Sequence, residues 1–300
     1  MDLKRLHCFI RVAESGSFTQ AALILDQSQS LVSRQVRQLE VELQQTLLQR
    51  NGRGVTLTAA GRRLLEHGKG ILRQVEVAEQ ALKNIDGIHK GKVNVGMTPT
   101  LGKLLTVDLV TAFFAEYPDS SLSIAENLTY WIQKRLILGE LDIALLYNPA
   151  PSAYLNYQLL WTEKLCLIAP SAFSDDTVNS IALREIINYP LIMPGGRHMI
   201  RHLVEIECAR HGIAPNVVIE IDAIPSLLLL VKKGFGYAIL PANALNGVGQ
   251  VDGLKALPIE PALINRVVLA TSSQRTLTPL AQKTIEILQS GIISMGYNLN

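Results

Sequence analysis

Apolar residues at Leu3, Leu6, Phe9, Ile10 and Ala13 recur at helical spacing, so the pattern predicts a first amphipathic helix at the start of the chain. Two shorter segments follow. They run from Phe18-Thr19-Gln20-Ala21-Ala22 through Ser28-Gln29-Ser30-Leu31-Val32-Ser33-Arg34-Gln35-Val36 to Arg37, and read as two helices joined by a tight turn. Ala21 and Ala22 are small enough for a close helix crossing, and Leu25, Val32 and Val36 supply the apolar contacts beneath it. Leu39-Glu40-Val41-Glu42-Leu43 prolongs the second of these helices. Leu47 to Thr58 reads as a hairpin in which Asn51-Gly52 and Arg53-Gly54 supply the positive backbone angles. Thr58, a candidate N-cap, then opens a long helix up to Gly87 with Leu64, Leu65, Ile71, Leu72, Val75, Ala78, Leu82 and Ile85 on one side. A small winged domain lacks the surface to cover so long a stripe, so the expected partner is a second copy of the same helix.

From Gly91 the period changes. Strands at 92–97, 121–126 and 142–147 alternate with helices at 101–117 and 132–138, which predicts parallel βαβ units. Further strands at 165–169, 191–193, 217–220, 236–240 and 266–270, before a last helix near 277–295, are too many for one small sheet. They predict two α/β lobes with a cleft between them. The fold class is therefore α/β: a winged helix-turn-helix at 1–58, a linker and dimerisation helix at 59–88, and a two-lobed α/β domain at 89–300. Lobe I takes about 91–161 and 266–300, and lobe II about 162–265.

The polar face of the helix-turn-helix carries the first candidate chemistry. Gln29, Ser33, Arg34 and Arg37 bear groups suited to base edges and phosphates in a major groove. Thr19, Gln20, Ser28 and Ser30 flank them, and Arg50 and Arg53 belong to the wing. Residues 1–63 hold nine Lys or Arg against five Asp or Glu, and the remainder 19 against 21, so basic charge gathers at this end. That surplus neutralises few phosphates per subunit, and tight binding to double-stranded DNA is expected to need at least two copies.

Three hundred residues with 48% hydrophobic and 18% charged composition exceed one compact domain. The longest apolar run, Leu227-Leu228-Leu229-Leu230-Val231, stops at Lys232-Lys233, well short of a membrane span. Met1-Asp2-Leu3-Lys4-Arg5 enters an amphipathic helix and not a secretion signal, so the expected compartment is the cytoplasm. Cys8, Cys166 and Cys208 are odd in number and set in apolar contexts, which reads as three reduced core thiols.

These residues together resemble the LysR-type transcriptional regulators over essentially the whole chain. The match is densest at Phe9, Gly16-Ser17-Phe18, Ala21-Ala22, Ser28-Gln29, Ser33-Arg34-Gln35-Val36, Leu39-Glu40, Leu47, Arg50, Gly54-Val55 and Leu57-Thr58 with Ala60-Gly61. Phe114 with Tyr117-Pro118, Gly139 with Leu141-Asp142-Ile143-Ala144, and Gly234, Gly236, Ala238, Leu240 and Pro241 continue it. Leu145-Leu146-Tyr147-Asn148-Pro149 resembles the nitrogen-assimilation-control subgroup. The resemblance implies a DNA-binding domain, a linker-helix dimer interface and an effector-binding domain shaped like a periplasmic binding protein. It further implies homodimers assembled into homotetramers, and RNA polymerase enters as a candidate partner. Three positions depart from the family's usual residues: Leu31 for a small residue, Gln44 for Gly and Leu48 for Phe. Gln44 predicts an altered turn before the wing.

In a two-lobed α/β fold the ligand lies outside the carboxyl ends of the strands, facing helix N-termini. Thr98 and Thr100, Asn127 and Thr129, and Gly196, Arg197 and His198 stand at three such places and suit a small anion. Tyr147 stands past a further strand end, and Pro225 and Phe235 are additional lining candidates. His198 and His202, four apart with Glu205 one turn on, lack the intervening glutamate of a zinc protease, and no metal or other cofactor is expected. No nucleophile elbow is present, and Gly247-Val248-Gly249 has the wrong spacing for a dinucleotide, so no enzyme is expected. The alternative function is that of a small-molecule-binding protein of periplasmic-binding-protein fold without a transcriptional role.

Overall fold

The computed structural model describes residues 1–51, 54–83, 91–173, 179–245 and 253–297. The chain divides into two compact units, Met1–Gly91 with Arg135–Leu141, and Lys92–Lys134 with Asp142–Asn300.

In the first unit, α1 (Leu3–Ser15), α2 (Phe18–Ile24) and α3 (Gln29–Leu43) each start at a capped residue. Asp2 accepts from the Lys4 N–H, Ser17 from Gln20 and Ser28 from Leu31, each cap contributing about 1 kcal/mol. Leu6, Phe9, Val12, Val32, Val36 and Leu39 form the core, and buried Ala21 and Ala22 allow the helices to cross closely. Strands β1 (Leu48–Asn51) and β2 (Gly54–Leu57) pair antiparallel with Asn51 opposite Gly54, while Gly52 and Arg53 lie outside the described residues. Gly16 closes α1 at φ +67°, and its carbonyl takes the Val55 N–H at 2.9 Å. A Cβ on Gly54 would stand 2.8 Å from that same oxygen, so only glycine lets the wing seat here.

Helix α4 (Ala59–Lys83) starts as expected, with the Gly61 N–H on Thr58 Oγ1 at 3.0 Å. Its stripe divides. Leu64, Leu65, Ile71 and Leu72 pack on the core of the winged domain, and Lys69 reaches Glu14 at 2.8 Å. Leu82 is 72% exposed. The expectation that this domain cannot cover the stripe is thus corrected for its first half, because α1 offers a flank of the right length. Residues 84–88, including Ile85, lie outside the described residues.

In the second unit, β3 (Lys92–Met97), α5 (Pro99–Glu116), β4 (Ser121–Glu126), α6 (Thr129–Ile137) and β5 (Ile143–Tyr147) form the expected parallel βαβ units. Next comes β6 (Leu155–Pro170), sixteen residues long. The chain continues through β7 (Ile181–Ala182), β8 (Leu191–Met193), α7 (Met199–Arg210), β9 (Val217–Glu220), α8 (Ile224–Lys232) and β10 (Ala238–Pro241). It closes with β11 (Leu254–Glu260), β12 (Ile264–Ser272) and α9 (Pro279–Ser294). The sheet is mixed, not parallel: β12 is antiparallel to both β5 and β6, and β10 and β11 are antiparallel to β6. β12 lies between β5 and β6, and β11 and β12 follow one another in the same direction along β6, joined end to end by 261–263, so both run antiparallel to it.

The two lobes also share a sheet. The first half of β6, Leu155 to Lys164, pairs with β12, and the second half, from Leu165, pairs with β10 and β11. The lobes are two ends of one strand path, β4-β3-β5-β12-β6-β11-β7, and not two separate sheets. Lobe II adds the parallel pair β8-β9, and its core runs from Leu165–Ile168 through Leu191–Met193 to Leu227, Leu228 and Ala238–Leu240.

Candidate nucleic-acid interface and ligand cavity

Helix α3 presents Gln29, Ser30, Arg34 and Arg37 to solvent, with Ser33 half-buried between them. These residues fall at spacings of three and four, so they line one face opposite the buried Val32, Val36 and Leu39. Arg34 and Arg37 make no ion pair among the described residues and are free to meet an external anion. Ser28 spends its oxygen on the α3 N-terminus and lies 3.1 Å from Ser30 Oγ. Thr19 and Gln20 stand exposed on the first turn of α2. Arg50 sits on β1, and Arg53 lies outside the described residues. Glu40 is a residue that sequence reasoning passed over. Its Oε1 accepts from the Leu47 and Leu48 N–H groups at 2.8 and 3.1 Å, which ties α3 to the start of the wing.

A cavity of about 570 Å³ lies between the two lobes of the second unit. Four helices start at it: α5 with Thr98 as N-cap and Pro99 next, α6 with Thr129, α7 with His198, and α8 with Ala223 and Pro225. Their free N–H groups and positive dipole ends favour an anion, and Lys103, one turn into α5, adds a cation to the lining. Thr98 makes no side-chain cap bond, and its buried Oγ1 has no hydrogen-bond partner. Tyr147, 5% exposed, likewise leaves its hydroxyl without one. Burial holds the Tyr147 phenol protonated well above the usual range, with the charge of Glu163 adding to the effect.

The structure brings Thr98, Thr100, Thr129, Tyr147, His198 and Pro225 to this cavity. It does not bring Asn127, Gly196, Arg197 or Phe235 there. Asn127 is exposed and caps its own turn through the Leu128 N–H at 2.8 Å; Gly196 and Arg197 are exposed before α7; Phe235 is 61% exposed. Thr129 gives its proton to the Tyr147 carbonyl at 3.2 Å. His198 caps α7 by accepting the Ile200 N–H on Nδ1 at 3.3 Å, and burial pushes its pKa down while Asp222 pulls the other way. Glu205, its expected neighbour in a metal site, is held by Arg201.

Lys103, Asp222, Asn243 and Tyr297 also line the cavity and were not anticipated. Lys103 is one helical turn beyond Thr98 and was open to discovery by spacing. Asn243 and Tyr297 arrive from distant segments with no local signal. Behind them Glu163 accepts from Asn243 Nδ2 at 2.8 Å and Asn265 Nδ2 at 2.7 Å. Burial pushes the Glu163 carboxyl up, and the two amides, helped by the nearby Trp161 indole and Tyr147 hydroxyl, oppose that shift.

Known proteins share both parts. A family described as "Bacterial regulatory helix-turn-helix protein, lysR family" matches residues 3–62, and one described as "LysR substrate binding domain" matches residues 87–292. The nitrogen assimilation regulatory protein nac of Escherichia coli K12 is 33% identical over 296 residues, spanning 98% of this chain and 96% of that one. The transcriptional dual regulator GltC of Bacillus subtilis is 27% identical over 291 residues, 96% of each chain. Among solved structures, a full-length OxyR of Pseudomonas aeruginosa superposes with a TM-score of 0.75 at 22% identity, over 97% of this chain and 94% of that one. CbnR, a LysR family transcriptional regulator, gives 0.69 at 20%, over 97% and 99%. At these identities the two structures speak for the fold.

Proposed function

The chain belongs to the LysR family of DNA-binding transcriptional regulators, and from that premise we propose that a small anionic metabolite bound between its two α/β lobes modulates promoter activity. The observation that carries this reading is the cavity itself, where four helix starts and two buried hydroxyls without partners, Thr98 and Tyr147, open into one space. A ligand shifts the regulator between two DNA-bound shapes only by its different affinity for each. Gln29, Ser33 and Arg34 read base edges, with Arg37, Arg50 and Arg53 on phosphates and Thr19, Gln20, Ser28 and Ser30 alongside. The domains keep the boundaries 1–58, 59–88 and 89–300. Protomers pair through the exposed distal part of α4, dimers join as tetramers, and the assembly works in the cytoplasm beside RNA polymerase. Among the described residues no helix is long and apolar enough to cross a membrane.

The test is operator footprinting with and without small carboxylates that raise the melting temperature of the protein. Thr98→Val and Thr100→Val preserve volume and remove a hydroxyl, so each is expected to weaken the ligand response and spare basal DNA affinity. Parent-like responses from both variants overturn the cavity as sensor. Arg34→Ala is expected to cost about 1–3 kcal/mol on the operator and little on random duplex.

A further inference from the structure

A chain of amides behind the cavity has only one possible polarity. It begins at the Arg266 backbone N–H, which can only donate, and does so to Asn148 Oδ1 at 2.9 Å. Asn148 must therefore turn its Nδ2 the other way, to Asn265 Oδ1 at 2.5 Å. Asn265, fully buried, then donates from Nδ2 to Glu163 Oε1 at 2.7 Å. The second carboxylate oxygen accepts from Asn243 Nδ2 at 2.8 Å, and that same Nδ2 lies 3.3 Å from the Tyr297 hydroxyl. Both donors of Asn243 are thereby used, and its Oδ1 is left buried and without a partner in a residue that lines the cavity. An orphaned buried acceptor is costly, and a ligand that donates to it recovers the loss.

The charge behind this acceptor is negative. Glu163 makes no ion pair among the described residues, and its four neighbours in the cluster, Asn243, Asn265, Tyr147 and Trp161, are all neutral. The same lining also carries positive groups, the α5 start at Thr98 and Thr100 with Lys103. Asp222 is the other acid of the lining, but it is exposed and already accepts the Gly195 N–H at 2.9 Å. Thr98 Oγ1 and Tyr147 Oη, both in residues more than nine-tenths buried and both unpartnered, belong to the same lining.

The geometry points to a zwitterionic ligand of the amino acid type, its ammonium group donating to Asn243 Oδ1 in front of Glu163 and its carboxylate received at the start of α5. This assignment rests on the reading of the cavity as the effector site and adds the requirement for nitrogen. Glu163→Gln tests it sharply. Asn265 still presents Nδ2, so the glutamine must keep its oxygen on that side and turn its own amide N–H₂ toward Asn243. Asn243 then has to flip, and a donor replaces the acceptor at the cavity wall.

The experiment measures melting-temperature shifts of the full-length chain with the proteinogenic L-amino acids and with the matching carboxylic acids that lack the amine. At least one amino acid is expected to bind about tenfold or more tightly than its amine-free counterpart, and Glu163→Gln to abolish or reverse that preference. Equal binding of the two sets, silence of every amino acid, or a preference that survives Glu163→Gln overturns the assignment. Amine-free acids that bind, and lose binding in Thr98→Val, overturn it too while leaving the cavity as the effector site. Loss of all carboxylate binding to both proteins removes the underlying reading instead.

Discussion

Gln44 ends the reading helix α3 with φ 52°, a left-handed conformation that the family usually gives to glycine. The turn thus takes a backbone shape that glycine adopts freely, although the residue is not glycine. Its N–H still reaches Val41 O at 3.2 Å, the Gln45 N–H reaches Glu40 O at 3.1 Å, and the Glu40 carboxylate pins the two residues that follow. A non-glycine residue in this region costs about 1 kcal/mol, and the exposed Gln44 side chain makes no hydrogen bond among the described residues that would compensate. Gln44→Gly is expected to raise stability by roughly that amount, less the added freedom of the unfolded chain, read as a higher urea midpoint at unchanged slope. His198 makes a second case. Its Nδ1 must stay unprotonated to cap α7, and burial lowers its pKa from the ordinary 6.5. The unfolded chain then holds the proton at a pH where the folded chain does not. The cap's contribution is complete above about pH 6.5 and falls away as the pH drops toward the lowered folded value. His198→Asn, a cap that does not titrate, is expected to flatten this part of the urea midpoint against pH; a parallel profile would remove His198 as the cause. The sequence revealed His198 as a helix start, but not that its ring would be the cap.

Among the elements, the winged domain was legible almost throughout, because its periods are local: the cap at Thr58, small residues at the crossing, Gly54 at the wing, with the caps at Ser17 and Ser28 coming only from the structure. The first half of β6 was not legible. Leu160 and Trp161 are both buried, and the register slips by one residue opposite Val267 and Val268, so the alternation that marks a strand is broken there. The cavity divided along the same line. Helix-start residues such as Thr98 and Thr129 were visible, whereas Glu163, Asn243 and Tyr297 meet only through tertiary folding. Helix α4 now separates two roles that one stripe had seemed to hold. Leu82→Glu is expected to abolish the dimer, as seen by light scattering, without lowering the melting temperature of the DNA-binding domain. Leu72→Glu, at a half-buried position against that domain's own core, is expected to lower that melting temperature, because the new carboxylate is partly desolvated there. A dimer that persists in Leu82→Glu relocates the interface.

For the whole molecule, the order of strands and helices was enough to anticipate two lobes and a cleft, but not the single strand that belongs to both. That strand carries a genetic consequence. Side chains alternate faces along β6, so one inserted or deleted codon within 155–164 leaves lobe II in frame with its partners only by turning the lobe I half inside out, and within 165–170 the reverse. The one-residue bulge opposite Val267 and Val268 is where the strand already takes up such a slip. A library of single-codon insertions and deletions, sorted by promoter response, is expected to be depleted across the interior of β6, least at the bulge opposite Val267 and Val268, and to recover toward 151–154. The number of residues in β6 is under structural selection in a way that substitutions, which spare that count, would never disclose.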